Sequence, residues 1–165
     1  MLDDIKNLYI VTCNGFNTEK GYFFKEISLY NHHIKYHWTV KLPTLDESNE
    51  KEQNQILFCT KYIHGLQFQN NNFDLHIFQI KDLLIKMKRM SPEANFVVKG
   101  DYNLKKFLTH RCKLECVDLE SFGCPKYDPL EVAKFDAYPF CSLHEREKCC
   151  YARAAWYFYW VLVSY

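Results

Sequence analysis

A chain of 165 residues is the size of one domain and is long enough to bury one good core, so a second domain need not be sought. Charged residues at 25% and hydrophobic ones at 48% are ordinary for a soluble globular protein, and a formal charge of +1 excludes an overall polycation. Eight cysteines would suit a secreted disulfide scaffold, but Met1 to Asn7 holds two Asp and no apolar stretch. No signal peptide is read there, and the expected setting is intracellular, nuclear or cytoplasmic, and not secreted.

Leu8 to Cys13 is a β-rich apolar run and reads as the first strand, with a turn at Asn14-Gly15 and a polar loop to Gly21. Tyr22 to Tyr30 and Ile34 to Val40 read as two further strands joined at Asn31-His32-His33, an antiparallel meander closed by Leu42-Pro43. Simple alternation puts Phe24, Glu26 and Ser28 on one face of the second strand. Asp46 to Gln55 is polar and acidic and suits a helix start, and Tyr62 to Phe68, with its Gly65, reads as a loop.

Asp74 to Met90 spaces Leu75, Phe78, Leu83, Leu84 and Met87 at a helical period, gathers basic residues toward its end and stops at Ser91-Pro92. Asn95 to Val98 is a short buried strand, Asp101 can cap a helix running to about Thr109, and Leu114 to Leu119 is the next strand. A short helix follows near Leu130 to Phe135, and a long one occupies about Glu145 to Ser164. The apolar run from Cys149 to Tyr165 contains Arg153 and is shorter than the roughly 20 residues of a bilayer span, so no membrane segment is expected. Three meandering strands followed by helices alternating with strands fit an RNase H-like α/β fold, a mixed sheet flanked by helices. Pattern alone leaves a flavodoxin-like or other α/β arrangement open.

Between Lys81 and Lys113 nine Lys and Arg stand against three acids. Lys86, Lys88, Arg89, Lys99, Lys105, Lys106 and Arg111 are therefore the candidate contacts to the phosphates of RNA or another single-stranded nucleic acid, although a charge run is also the ordinary dress of a solvated face. Trp156, Tyr157, Phe158, Tyr159 and Trp160 run consecutively and, at 100° per residue, cannot all face one core. Either the last helix is buried nearly all round, or its outward aromatics meet a protein partner or a second copy of the chain.

Cys141-x2-His144 followed by Cys149 places a thiolate and an imidazole within reach of one ion, with a second thiolate close behind. Such soft ligands select zinc over magnesium or calcium, and zinc needs a fourth ligand from elsewhere. Cys150 competes with Cys149, and the bland alternative is a set of buried thiols beside an exposed histidine. A rival group, His110, Cys112, Cys116 and Cys124, has no familiar zinc spacing, and packing is the better reading of it.

These residues resemble known ones. His144-x4-Cys149 is similar to the His-x4-Asp signature of DEDDh exonucleases with the Asp replaced by Cys, and Ile63-His64-Gly65-Leu66 is similar to their His-Gly-Ile loop. The Asp-x-Glu that holds magnesium in that family falls near Thr12-Cys13-Asn14, where both carboxylates are missing. The chain more closely resembles the Maelstrom domain, a relative on the same fold with a Glu-Cys-His-Cys zinc set in place of the acids. The resembling pieces are Phe24-Lys25-Glu26-Ile27-Ser28-Leu29, Cys141-x2-His144-Glu145 and Cys149-x2-Ala152-Arg153.

The resemblance implies one structural Zn2+ held by Glu26, Cys141, His144 and Cys149, no catalytic residues, and an RNA-binding or protein-adaptor role in RNA-guided silencing. An unorthodox single-stranded RNA nuclease and a purely structural interaction subunit are the alternatives.

Overall fold

Along the first strand Leu8 and Ile10 alternate with Tyr9 and Val11, and the two sets enter different hydrophobic clusters on opposite faces of a sheet. The structure, a computed structural model, describes residues 4–45, 48–68 and 72–165. Its strands are β1 (Leu8–Thr18), β2 (Gly21–Tyr30), β3 (Lys35–Thr39), β4 (Asn95–Val98) and β5 (Cys116–Asp118). They form one five-stranded sheet in the order β3-β2-β1-β4-β5, with β1 to β3 antiparallel and β4 and β5 parallel to β1.

The helices are α1 (Glu50–Cys59), α2 (Ile77–Met90), α3 (Tyr102–Lys106), α4 (Pro129–Lys134) and α5 (Cys150–Ser164). Ile80 and Leu84 of α2, Leu104 of α3 and the following Phe107 and Leu108 pack on the sheet face carrying Val11, Ile27, Leu29 and Val98. On the other face α5 lays Ala154, Phe158 and Val161 against Leu8, Ile10 and Val97, with Val132 of α4 in the same cluster. A smaller cluster of Phe16, Leu42, Ile56 and Cys59 joins the far end of β1 to α1.

The expected turn at Asn14-Gly15 is not there, because β1 runs on to Thr18 and the chain reverses at Glu19-Lys20. Gly15 is needed for close approach instead: a Cβ on it would collide with the Phe23 carbonyl. Opposite it the register slips, Asn14 facing Glu26 and Gly15 facing Phe24, so Lys25 is the extra residue of a β-bulge. The bulge breaks the expected alternation: Phe24 joins the cluster under α2 and α3, while Glu26 turns to the α5 face.

The expected loop from Tyr62 starts inside a π-helical turn, Thr60–His64, that prolongs α1. The capped helix at Asp101 is α3, prolonged by a second π-helical turn, Phe107–Arg111. Asp46 and Glu47, the start of the expected acidic helix, lie outside the described residues. Asp74 precedes α2 and accepts from the Thr39 backbone, and Phe78 is exposed rather than part of the inward stripe.

Five successive aromatics on α5 are mostly interior. Trp156, Tyr157 and Phe158 are buried, Trp160 is half-buried, and Tyr159 alone of the run is 60% exposed. Among the described residues no helix is long and apolar enough to cross a membrane.

Candidate metal centre

Glu26 is fully buried on β2, against the start of α5. Its Oε1 accepts from the Cys150 backbone N–H at 2.8 Å, so the carboxylate satisfies one of the orphan donors of the helix start. Thr12 ties the same point to β1 by donating its hydroxyl to the Cys150 carbonyl at 2.6 Å. α5 begins at Cys150 rather than near Glu145; Arg146–Lys148 is a 3-10 turn and Cys149 is extended. That extended Cys149 brings its Sγ to 3.7 Å from Glu26 Oε1, while Cys150 contributes its backbone N–H and its buried thiol also lies beside Glu26.

Cys141 and His144 arrive through a tight turn in which Ser142 takes φ 69°, a strained value for a residue with a Cβ. The turn sets Cys141 Sγ 4.0 Å from Glu26 Oε2 and His144 Nε2 2.9 Å from the same oxygen. The Cys141 backbone N–H donates to Cys149 Sγ at 3.4 Å. His37 reaches the group from β3: it faces Ser28 across the strands, and its Nε2 lies 3.5 Å from Glu26 Oε1.

One ligand atom each from Glu26, His37, Cys141 and Cys149 lies within 4.8 Å of all the others, a group that can hold a metal ion. His144 adjoins it through Glu26. Nothing in the sequence marked His37, since its place beside Glu26 depends on the β2–β3 register and on the Lys25 bulge.

The hydrogen bonds around the imidazoles show what the cluster lacks. His144 Nδ1 donates to the His64 carbonyl at 2.5 Å, which leaves Nε2 as the nitrogen that faces Glu26 and that can bind an ion once its proton is displaced. That Nε2 and the Nε2 of His37 are buried, close to a carboxylate, and yet neither is oriented to hydrogen-bond to it or to anything else among the described residues. Buried polar atoms are ordinarily satisfied, and a ring whose far nitrogen is fixed by a backbone carbonyl is how a metal-ligating histidine is held. The donor set therefore fits a metal ion.

Charge sharing describes how the cluster is held when no ion occupies it. Burial opposes ionisation of Glu26, but His144 and His37 beside it hold its carboxyl well below the usual range. Burial likewise disfavours the cationic form of His144, and Cys149 and Glu26 override it, pushing its pKa up to about 10. Contact between the thiols lowers the pKa of Cys141 and raises that of Cys149, so the second proton is the one held until something displaces it. A bound cation does that.

His64 is not a ligand. Its Nε2 donates to the Gly15 carbonyl at 2.8 Å and its Nδ1 accepts from the Leu66 N–H at 3.0 Å, while burial lowers its pKa, so it is a neutral core histidine that positions His144. The rival group does not converge: Cys112 packs in the cluster under α2 and α3, Cys124 lies in the cluster under α5, and His110 is exposed.

The candidate nucleic-acid contacts divide into committed and uncommitted cations. Lys88 donates to the Pro92 and Ala94 carbonyls, Lys99 pairs with Glu120 at 3.1 Å, Lys105 pairs with Asp118 at 2.8 Å, and Arg111 lies over the Phe107 ring. Lys86, Arg89 and Lys106 are exposed and make no ion pair among the described residues. They belong to α2 and α3, which cover the sheet face opposite the candidate metal centre.

No protein-family model, curated protein or solved structure matches the chain.

Proposed function

We propose that this chain is a Maelstrom-like domain of RNase H-like type, in which one structural zinc ion staples α5 to the sheet and the opposite face binds single-stranded RNA. The observation that carries the metal reading is the pair of buried imidazole Nε2 atoms, on His37 and His144, facing Glu26 without a hydrogen bond. An antiparallel meander with two parallel strands added beside β1 is the arrangement the resemblance implies, and it supports the fold assignment.

Glu26, Cys141 and Cys149 supply three ligands, and His144 is the fourth because its Nδ1 is already fixed by the His64 carbonyl. His37, stacked on Tyr151, is the neighbour of the site. A zinc ion closed by four protein ligands has no open position for water and contributes to folding rather than to chemistry. Two-metal hydrolysis requires hard ions on oxygen ligands, and Thr12 and Asn14 provide no carboxylate on β1.

The RNA reading rests on Lys86, Arg89 and Lys106, whose charges are not spent within the fold. Elemental analysis of freshly purified, unchelated protein tests the first half, and salt-dependent binding of single-stranded RNA tests the second. One zinc per chain is expected; its absence refutes the metal reading. Binding that ignores salt refutes the phosphate contacts.

A further inference from the structure

α4 ends at Lys134, and the segment that follows it, together with α5 and the end of β2, surrounds a cavity of about 340 Å3. That is the low end of the roughly 300–1,000 Å3 of small-molecule sites. Four aromatic rings line it, each from a different place in the fold: Tyr30 at the end of β2, Phe135 just past α4, Tyr138 in the bend that follows, and Tyr159 on α5. Glu131 of α4 is the carboxylate of the wall. Ala155, one turn before Tyr159 on the same face of α5, is buried and contributes only a methyl group. None of these residues belongs to the metal centre.

The rings face this space rather than the core. Tyr159 is 60% and Phe135 55% exposed, whereas Trp156, Tyr157 and Phe158 of the same helix are buried. Burial raises the pKa of Tyr138, and the Glu131 carboxylate and Tyr159 beside it raise it further. Tyr30 is raised by burial and then by Tyr151 and Tyr159. The phenols are therefore neutral and gathered around one opening.

The charge of the wall is not matched from within. Trp156 orients Glu131 by donating its indole N–H to Oε2 at 3.3 Å, and no Lys, Arg or His among the described residues pairs with that carboxylate. A carboxylate beside the electron-rich faces of several rings attracts a cation. The chain already does this at one ring, where Lys35 Nζ lies 5.4 Å from the centroid of Tyr30. Among the described residues no Lys or Arg lies over Phe135, Tyr138 or Tyr159.

An ordinary ammonium is strongly hydrated and carries three N–H donors, which walls of this kind satisfy poorly. A trimethylammonium has no N–H to satisfy and presents methyl groups to the rings, so it gives up little on leaving water. Phosphocholine carries the same group, but its phosphate would meet the Glu131 carboxylate, a like-charge contact that selects against it. We infer that this cavity is an aromatic cage for a trimethylated lysine of a protein partner. The inference uses neither the zinc reading nor the RNA reading.

The test is a nuclear magnetic resonance titration of the 15N-labelled full chain, read at the Trp156 indole N–H beside Glu131. The probes are Nα-acetyl-trimethyllysine methylamide, its unmethylated counterpart, the uncharged isostere with carbon in place of the ammonium nitrogen, and phosphocholine. Trimethyllysine should bind about ten-fold or more tighter than the other three, the scale of a desolvated cation–π contact. Tyr159→Ala should weaken it by a similar factor, Tyr159→Phe should keep it, and Glu131→Gln should narrow its advantage over the uncharged isostere. Because Tyr159 is exposed, its replacement leaves the fold intact, which circular dichroism checks. Absence of a shift at millimolar trimethyllysine, equal binding of lysine or of the uncharged isostere, unchanged affinity in Tyr159→Ala, or tighter binding of phosphocholine overturns the proposal. Self-association abolished by Tyr159→Ala, without any response to trimethyllysine, would overturn it by giving the surface to a second copy of the chain.

Discussion

Replacing Cys149 with Ser changes one buried atom, and the metal reading makes that change depend sharply on zinc. The Cys149 side chain is fully buried, 3.7 Å from Glu26, so Ser fits the space but offers zinc a far poorer ligand than thiolate. A ligand that binds only the folded state stabilises it by RT ln(1 + [L]/Kd), about 4 kcal/mol when free zinc is roughly 1,000-fold above Kd. For a chain of this size each kcal/mol moves Tm by about 2–4 °C, so chelation should lower the wild-type Tm by roughly 8–16 °C.

Cys149→Ser should start from the lowered Tm and respond little to chelator. In the chelated state the two proteins should lie within about 1 kcal/mol of each other, because the cavity volume is nearly unchanged. Thermal melts of both proteins, with and without chelator, together with zinc content, give the four required values. An equal loss of Tm in both conditions would make Cys149 an ordinary core thiol and refute the argument. A wild-type melt indifferent to chelator would refute it equally.

Three other outcomes are expected. His144→Ala should abolish zinc retention while His37→Ala keeps one zinc per chain, checked by elemental analysis after gel filtration; the opposite pattern would move the fourth ligand to β3. Charge reversal at Lys86, Arg89 and Lys106 together should weaken single-stranded RNA and flatten the plot of log affinity against log salt by about 2, since each single-strand phosphate contact contributes roughly 0.7; an unchanged slope in anisotropy titrations would remove these residues from the interface. On α5, Phe158→Ala should cost about 3–5 kcal/mol in denaturant melts, whereas Tyr159→Ser should leave stability nearly unchanged, and any concentration-dependent light scattering lost with it would locate self-association on that outward position.

Periodicity made most of the fold legible in the sequence. Asn95–Val98 and the Asp101-capped helix were readable because a buried apolar run and an N-cap side chain are local signals. The ends of β1 and α5 were not, for reasons that are not local. Asn14-Gly15 has the composition of a hairpin turn, and only the Phe23 backbone pressing on Gly15 reveals it as a strand position. Glu145 to Cys149 has a helix-forming composition, but Cys149 is held extended so that its thiol, and the Cys150 N–H after it, reach Glu26.

The candidate site was half legible for the same reason. Cys141, His144 and Cys149 lie close together in the chain and announce themselves by spacing, whereas Glu26 and His37 are distant and depend on strand register. Lys25 is the pivot of that register. Without the bulge, Glu26 would share a face with Phe24, as simple alternation predicts, and would point into the apolar cluster under α2 and α3. There a carboxylate would have neither the Cys150 N–H nor an imidazole to meet it. One inserted residue thus carries a costly buried charge across the sheet to where a helix start, two histidines and two thiols can receive it. The bulge also brings five groups together where the proposed zinc shell would take four. On the proposed ligand set the ion takes His144, and His37, which lies within 4.8 Å of the other three donors and stacks on Tyr151, is the group that competes for its place.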